Sequence, residues 1–378
     1  MRVYLDYNAG APLRAEVHAA VGRAMSLCGN PSSGHREGAR VRRCIEEARA
    51  QVAALIGARP PDVVFTSGAT EGNNLALDGL LSPGDLLVTT AVEHASVLAP
   101  AAAFEAMGGR VVRLPVSSDG SLDWRHAAVA CEERPRLVSI ALANGEIGAV
   151  YDVAKMAALA RAGGAHVHTD AAQAAGRLVI DVAALGVDLL SLSGHKIGAP
   201  SGCGALWMRP GVPVRAAIRG GPQERDRRAG TENFLGIVGF GAAAELAAQE
   251  LASTAARMRR LRDLLWMLLR DALPDVERNG PTGLALLPNT LNVTMPGIAG
   301  ESLLVLLDLG GVAASLGSAC AAGSPEPSHV LLAMGASRDR ARAGLRLSLG
   351  PETTEDEIRR AAVVITEAVR QIRREAAA

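Results

Sequence analysis

The sequence has little of several features on which particular protein classes depend. Aromatic residues make up 3% of its 378 residues, and lysine plus arginine balance aspartate plus glutamate at 39 each. Without a stacking surface or a net positive field, direct binding of nucleic acid or of an acidic membrane is disfavoured. No contiguous apolar run reaches the length of a membrane span, and the first ten residues lack the blocks of a signal peptide. We therefore expect a cytoplasmic protein.

Cysteine is scarce as well, and its spacing argues against two common uses. The five cysteines are odd in number and include no C-x-x-C pair, which disfavours a disulfide framework and a zinc site. His166 and His168 would share one strand face, but no further ligand has a recognisable spacing, so we expect no metal. The five cysteines are Cys28, Cys44, Cys131, Cys203 and Cys320.

Apolar residues, by contrast, account for 49% of the chain. Short apolar runs that end in Gly, Ser or Asp alternate with alanine-rich amphipathic stretches, the pattern of an α/β fold with a mostly parallel sheet. Ligands bind outside the carboxyl ends of such strands, so the polar residues there should meet in one crevice. The predicted strands are Val63–Thr66, Leu86–Thr89, Arg110–Leu114, Leu137–Leu142, His166–Thr169, Leu189–Leu192 and Gly204–Met208.

A long helical run from Ile237 to about Leu273 separates this body from a C-terminal part with its own strands and helices. The pattern predicts a second, smaller domain. The polar segment Gly221–Gly230 reads as a loop, and we expect a partner to order it.

A lysine follows one predicted strand on a turn of small residues. Lys196 follows Ser193 and His195, whose polar side chains could hold a phosphate while the amine bonds to an aldehyde. Such a cofactor needs an acid beside its ring nitrogen, and Asp170 is the candidate. A surface lysine is the alternative that this turn alone leaves open.

The segment Phe65–Glu71 joins another strand to a helix that begins near Ala69. Backbone N–H groups at a helix start suit a phosphate. An ordinary Ser/Thr helix cap would explain the same turn.

The order of these motifs is more specific than any one of them. Glu93-His94 and Gln173 complete the set, and further motifs extend nearly from end to end: Tyr4–Ala9, Asn30–Ser33, Arg228–Asn233, Gly317–Cys320, Pro327–Leu331 and Arg346–Gly350. With them the chain resembles the cysteine desulfurases among the class V aminotransferase-like enzymes, in the nitrogenase-type and housekeeping iron–sulfur group.

The resemblance implies a pyridoxal-phosphate-dependent transferase of the aspartate aminotransferase-like fold, fold type I. It would have a mostly parallel seven-stranded sheet in a large domain of residues 15–250. A smaller α+β domain would join residues 1–14 to residues 251–378 and carry the cysteine loop. The enzyme would be a homodimer.

The same resemblance implies a role for each motif residue. Lys196 would bind pyridoxal 5'-phosphate covalently, and Asp170 would hold the proton on its ring nitrogen. Gln173 would bond the ring hydroxyl, and His94 would stack on the ring. The residues that hold the phosphate would be Ala69, Thr70, Ser193 and His195, with Thr231 from the second subunit.

Small residues around Cys320 predict an exposed loop in which a thiol can ionise. By the resemblance, this thiolate would take the sulfur of L-cysteine as a persulfide, leave L-alanine, and pass the sulfur to a protein such as an iron–sulfur scaffold. His94 could relay the substrate thiol proton. Arg346 would clamp the substrate carboxylate, which a guanidinium fork suits, and Asn30 is a second substrate-binding candidate.

The chain departs from the family pattern at Gly145, where the family usually has the second asparagine of Asn-Asn-Glu. Glycine has no side chain to bond the ring hydroxyl or the substrate, so that role is not carried over, and Asn144 could assume it only after a backbone shift. Gly10-Ala11 and Pro351 are further departures. Substrate handling is therefore expected to be altered or slow.

Two alternatives remain open at this point. A selenocysteine lyase would not need a persulfide-forming thiol on a long loop, so Cys320 favours desulfuration. A catalytically weakened sulfur-relay protein would agree with Gly145 but not with retention of Lys196 and Asp170.

Overall fold

Seven strands form one sheet in the computed structural model, which describes residues 2–317 and 326–377. They are β2 (Val63–Thr66), β3 (Leu86–Thr90), β4 (Arg110–Leu114), β5 (Leu137–Ala141), β6 (His166–Asp170), β7 (Leu189–Ser193) and β8 (Gly204–Met208). The order is β2-β8-β7-β6-β5-β3-β4, and all neighbours are parallel except those of β8, which is antiparallel to β2 and β7. The predicted sheet is confirmed, with each strand ending within one residue of its predicted end.

Both faces of this sheet are covered. Val63 and Phe65 of β2 belong to one apolar core and Val64 to another, because successive strand residues point to opposite faces. Burial on both sides explains why these strands read as continuous apolar runs. The helices between the strands are α1 (Ala15–Ala24), α2 (Arg36–Leu55), α3 (Ala69–Leu80), α4 (Ala95–Ala106), α5 (Trp124–Glu132), α6 (Val153–Ala162) and α7 (Val182–Leu185).

A second group of elements surrounds a core of its own. β10 (Thr290–Thr294) pairs antiparallel with both β9 (Glu277–Asn279) and β12 (Gly344–Ser348), while β1 (Val3–Tyr4) pairs with β11 (Val312–Ala313). Val3 and Leu5 thus share a core with residues of the C-terminal part. After β8, the short turn α8 (Gln223–Asp226) has positive φ at its last three residues. The helices that follow it are α9 (Phe234–Ala272), α10 (Gly300–Leu309), α11 (His329–Ala333), α12 (Arg338–Arg342) and α13 (Glu355–Ala377).

Helix α9 extends through both cores. Its first half buries Ile237 and Phe240 in the core of the large sheet, and its second half buries Leu261 and Leu265 in the C-terminal core. The division into residues 15–250 and residues 1–14 with 251–378 stays a prediction, and α9 crosses that boundary without a break.

By length and composition, α9 alone among the helices of the described part could cross a membrane, although no such run was expected from the sequence. It packs against α1, α2 and α13. Apolar residues that contact other helices in this way are those of a protein core.

Candidate active site

A cavity of about 350 Å³ opens at the carboxyl ends of the parallel strands. Segments that follow β2, β3, β5, β6 and β7 form its walls, together with the N-terminal segment and β12. Its size is that of a site for a small molecule or cofactor. Most of the predicted site residues line it: Ala69, Thr70, His94, Asp170, Gln173, Ser193, His195, Lys196 and Arg346.

The lysine enters the cavity from the turn after β7. The 3-10 turn Gly194–Lys196 follows the strand directly, and Gly194 permits it because a Cβ there would lie 3.0 Å from the carbonyl oxygen of Cys203. Lys196 Nζ donates hydrogen bonds to the carbonyl oxygens of Asn8 and Ala9, at 2.6 and 2.9 Å. The amine is thus oriented by the N-terminal segment, and the interpretation as a surface lysine is wrong.

Asp170 is oriented by two donors at the buried end of β6. Asn73 Nδ2 donates to Asp170 Oδ2 at 2.7 Å, and the N–H of Ala172 donates to Oδ1 at 2.9 Å. Asn73 Nδ2 also donates to Ser96 Oγ at 2.8 Å, and that hydroxyl lies 2.7 Å from His94 Nδ1. A continuous hydrogen-bonded chain therefore joins Asp170 to His94. Sequence reasoning missed Asn73 and Ser96; a buried asparagine within an otherwise apolar helix face was the available signal.

His94 caps α4 and is held as a neutral ring. Its Nδ1 accepts from the N–H of Ser96 at 3.1 Å, so the proton of the neutral imidazole resides on Nε2. Burial lowers the pKa of His94, and the charges of Lys196 and His329 lower it further against the opposing effect of Asp170. A neutral imidazole beside the cavity can accept a proton.

The N-terminus of α3 offers backbone donors to an anion. Its N-cap is Gly68, which makes no side-chain cap, so the interpretation as a Ser/Thr cap is wrong. The preceding N–H, of Ser67, is satisfied by Glu71 at 2.8 Å. On the other wall, Ser193 Oγ lies 2.9 Å from His195 Nδ1, and burial lowers the pKa of His195 to about 4, with a further contribution from Lys196. A helix N-terminus flanked by hydroxyl and imidazole donors suits a phosphate group.

Arg346 lies in the middle of β12 with its side chain 4% exposed. Its Nη2 donates to Asp6 Oδ1 at 2.9 Å, and Nη1 donates to the carbonyl oxygen of Gly145 at 3.3 Å. Nε is buried and has no hydrogen-bond partner in the described part of the chain. A buried guanidinium with donor capacity left over suits a carboxylate ligand.

The side chain of Asn144 fixes its own turn. Its Nδ2 donates to the carbonyl oxygen of Val92 at 2.9 Å, and its Oδ1 accepts from the N–H groups of Glu146 and Ile147 at 2.8 and 3.0 Å. These bonds hold Asn144 in its turn, and the role that the family assigns to an asparagine at the next position is not carried over to it.

Two buried acids stand at the edge of the cavity. Burial raises the pKa of Glu93 to about 8, with the nearby charge of Asp170 adding to the effect. Burial also raises the pKa of Glu146, which accepts a hydrogen bond from Ser328 Oγ. Sequence reasoning named Glu93 only as part of a motif and missed Glu146.

Two predicted residues are not brought to the cavity. Thr231 and Asn30 are exposed, and the side chain of Asn30 caps its own turn by accepting from the N–H of Ser32 at 2.8 Å. Cys320 lies outside the described residues. The nearest described residues on either side are Gly317 and Glu326, and a Cβ added at Gly317 would lie 2.7 Å from Glu146 Oε1 at the cavity edge.

The remaining cysteines differ in exposure. Cys131 and Cys203 are buried, Cys44 is half-buried, and Cys28 is exposed after α1. Burial raises the pKa of Cys203 to about 12 and raises those of Cys131 and Cys44 above the ordinary thiol value. Three of the four thiols are thus poor nucleophiles, because only the thiolate attacks.

The two strand histidines are occupied by protein groups. His168 Nδ1 and Nε2 lie 2.8 and 2.9 Å from the hydroxyls of Ser139 and Ser191, while His166 pairs with Asp188 at 3.8 Å. Within residues 2–317 and 326–377, no group of three or more His, Cys, Asp or Glu side chains could hold a metal ion.

The donor set of the cavity fits pyridoxal phosphate. It combines a lysine amine, an oriented carboxylate, an imidazole and a helix N-terminus, and the fit is carried by buried groups that the protein itself leaves unsatisfied. The Nε of Arg346 is such a group among the described residues that line the cavity. Buried polar atoms of this kind commonly mark a ligand site.

Known proteins resemble the chain over nearly its whole length. The model of the aminotransferase class-V family matches residues 3–361. A cysteine desulfurase IscS of Dictyoglomus turgidum is 40% identical over 376 residues, which cover 98% of this chain and 95% of that protein. A solved NifS-like protein superposes with a TM-score of 0.91 at 34% identity, covering 98% of this chain and 100% of the other. The structure of SspA in complex with cysteine gives a TM-score of 0.79 at 33% identity, covering 93% of this chain and 100% of SspA.

Proposed function

Because the chain belongs to the class-V aminotransferase family and is a pyridoxal-phosphate-dependent cysteine desulfurase, we propose that Cys320 accepts the sulfur of L-cysteine as a persulfide. One observation supports the assignment of the other residues: Lys196, Asp170, His94 and Arg346 all line the same cavity. A selenocysteine lyase is not favoured, since the relatives are cysteine desulfurases.

Each residue around the cavity would bind a different part of the cofactor. Lys196 would bind it covalently, Asp170 would hold the proton of the ring nitrogen, and His94 would cover the ring face. The phosphate would be held by Ala69, Thr70, Ser193 and His195. The bound cofactor supplies an electron sink for the charge left when a proton leaves the substrate α-carbon.

The protein groups would then handle the substrate in turn. Arg346 binds the carboxylate, and the amine of Lys196 takes the α-proton and later returns a proton to carbon. His94 would relay the thiol proton, taking it at Nδ1 in place of the hydrogen bond from Ser96, and its lowered pKa favours release of that proton afterwards. The Cys320 thiolate forms an S–S bond to the substrate sulfur as the carbon–sulfur bond breaks, and L-alanine leaves once its carbon has gained a proton.

The proposal includes a homodimer in which Thr231 of the second subunit completes the phosphate site. Its exposure, outside the cavity of its own chain, supports that arrangement. The persulfide would pass to a protein acceptor such as an iron–sulfur scaffold, in the cytoplasm. Sulfur acceptors for tRNA thiolation and DNA phosphorothioation are alternatives that the same chemistry would serve.

The test compares Cys320→Ser with Cys28→Ser, the one other cysteine that is exposed among those described. Purified holoenzyme receives L-cysteine, with selenocysteine in parallel, and alanine and sulfide are measured. We expect alanine formation to collapse in Cys320→Ser, with cofactor binding retained, and to persist in Cys28→Ser. Normal turnover by Cys320→Ser, or mass-spectrometric detection of the added sulfur on another cysteine after a brief pulse, would overturn the proposal.

A further inference from the structure

Gly145 and Gln173 occupy one space at the side of the cavity. A Cβ built on Gly145 would lie 2.8 Å from both Cγ and Nε2 of Gln173, closer than real Cβ atoms come to other heavy atoms. A side chain at position 145 is therefore incompatible with Gln173 in its present conformation. The glycine and the conformation of the glutamine belong together.

Arg177 fixes that conformation from behind the cavity. Its Nη1 donates to the side-chain Oε1 and to the main-chain oxygen of Gln173, both at 2.8 Å. Its Nη2 donates to the carbonyl oxygens of Tyr7 at 3.3 Å and Lys196 at 3.4 Å. All four hydrogen bonds of this buried guanidinium therefore end on neutral oxygens.

The orientation of the glutamine amide follows from the chemistry of arginine. A guanidinium has only donors, so the oxygen of Gln173 must face Arg177 and the nitrogen must face away. Nε2 then donates to the carbonyl oxygen of Asn8 at 3.0 Å, the same oxygen that accepts from Lys196 Nζ. An amide nitrogen has a second N–H, and Gln173 lines the cavity.

We propose that Arg177 is a positioning residue that turns an N–H of Gln173 toward the ring oxygen of the cofactor, and that Gly145 is required to leave room for this arrangement. The inference rests on the proposed role of Gln173 in the site. A buried arginine behind the cavity thus compensates for the side chain that position 145 lacks.

The charge of Arg177 is retained for this task at an energetic cost. Burial lowers its pKa to about 10, with the charge of Arg346 adding to the effect, so it stays protonated at neutral pH. A buried charge without an acidic partner is unfavourable unless specific acceptors satisfy it. If Arg177 served only to fill space, an apolar side chain could replace it, and the substitution Arg177→Met tests this.

The experiment follows the visible absorption of the holoenzyme as a function of pH, together with the rate of cofactor loss. In Arg177→Met we expect the pH midpoint to rise by about one unit and cofactor loss to accelerate about tenfold, since one strong hydrogen bond is forfeited. The midpoint rises because the ring oxygen loses a donor that stabilises its negative charge. In Arg177→Lys one ammonium can replace both bonds of Nη1, so most of the shift should disappear.

Gly145→Ala provides an independent approach to the same contact. Its methyl group would displace Gln173, so in the otherwise natural protein we expect the pH midpoint of the absorption to rise as well. When Arg177→Met is already present, we expect Gly145→Ala to change that midpoint little further. Thermal midpoints of all variants separate this effect from general destabilisation.

Gln173→Ala distinguishes the proposed role of Gln173 at the cofactor from the positioning role of Arg177. If Gln173→Ala changes neither the pH midpoint nor cofactor loss, the proposed role of Gln173 fails. If Gln173→Ala shifts the midpoint but Arg177→Met and Gly145→Ala lower only the thermal midpoint, Arg177 is structural and the inference is overturned while the proposed function stands. Should Arg177→Met not fold, Arg177→Lys and Gly145→Ala give the same decision.

Discussion

Glu224→Ala should destabilise the protein strongly, because it removes one partner of a buried ion pair. Glu224 Oε2 accepts from Arg49 Nη1 at 2.6 Å, and Oε1 accepts from Nη2 at 2.8 Å. The two side chains are 2% and 3% exposed. Oε2 also accepts from the N–H of Phe65 at 2.8 Å, and Glu224 itself is held at a left-handed φ of 47°. The carboxylate therefore ties the segment that leads to Thr231 onto β2.

The size of the effect follows from what is left behind. Without the carboxylate, the buried guanidinium loses its charged partner, and breaking such a pair from one side costs about 3–5 kcal/mol. Arg49 has a second carboxylate, Glu46, whose oxygens lie 3.2 Å from Nε but whose side chain is 48% exposed. Water screens that contact, so Glu46→Ala should cost about 1 kcal/mol or less.

The assay is urea denaturation of the holoenzyme at neutral pH, with Glu46→Ala as the matched control. The double variant Arg49→Met with Glu224→Leu should recover most of the loss, since no buried charge is then left unpaired. Cofactor loss should also accelerate in Glu224→Ala, because Phe65 directly precedes the turn proposed to hold the phosphate. Equal losses in Glu46→Ala and Glu224→Ala, or a loss below about 1 kcal/mol in the latter, would refute the reasoning.

Three further predictions concern the site and the sheet beneath it. Lys196→Ala should abolish the covalent cofactor adduct that borohydride traps in the natural enzyme; an adduct that persists on mass spectrometry would contradict its assignment. Mixed dimers of a Lys196→Ala and a Thr231→Ala subunit should regain one intact site, and mixtures no more active than the parents would count against sharing of Thr231. His168 has its pKa lowered to about 4 by burial, so the unfolded chain binds the proton first and stability should fall as the pH drops from about 6.5 to 4, by roughly 1.4 kcal/mol per unit. His168→Asn should flatten that slope in urea titrations.

Much of the large sheet could be predicted because its signals are local. Apolar runs that end in Gly, Ser or Asp located the ends of the strands to within a residue, because strands buried on both faces consist of continuous apolar residues. The approximate place of the site followed as well. Asp170 and Lys196 are distant in sequence, but each follows a parallel strand, and such strands end at one edge of the sheet.

The parts that could not be predicted depend on contacts between distant segments. Nothing near Asn73 indicates that its amide reaches Asp170, which lies 97 positions away in the sequence. The ion pair of Arg49 with Glu224 joins residues 175 positions apart in sequence. Such pairs depend on how helices and strands pack against one another, and the periodicity of apolar residues does not predict that packing.

Helix α9 connects the part of the protein that carries Lys196 to the part that carries Arg346. Its first half contacts the turn that carries Lys196, and its second half packs beside β10, the neighbour of the strand that carries Arg346. Lys196, proposed to act at the amine end of the substrate, and Arg346, proposed to bind its carboxylate, are therefore positioned relative to each other by one helix of 39 residues, about 58 Å long. One residue inserted near its middle would turn everything beyond by about 100° and advance it by about 1.5 Å. Length is thus under tighter constraint in α9 than composition, and a chain that keeps every active-site residue could still lose its substrate by gaining one alanine there.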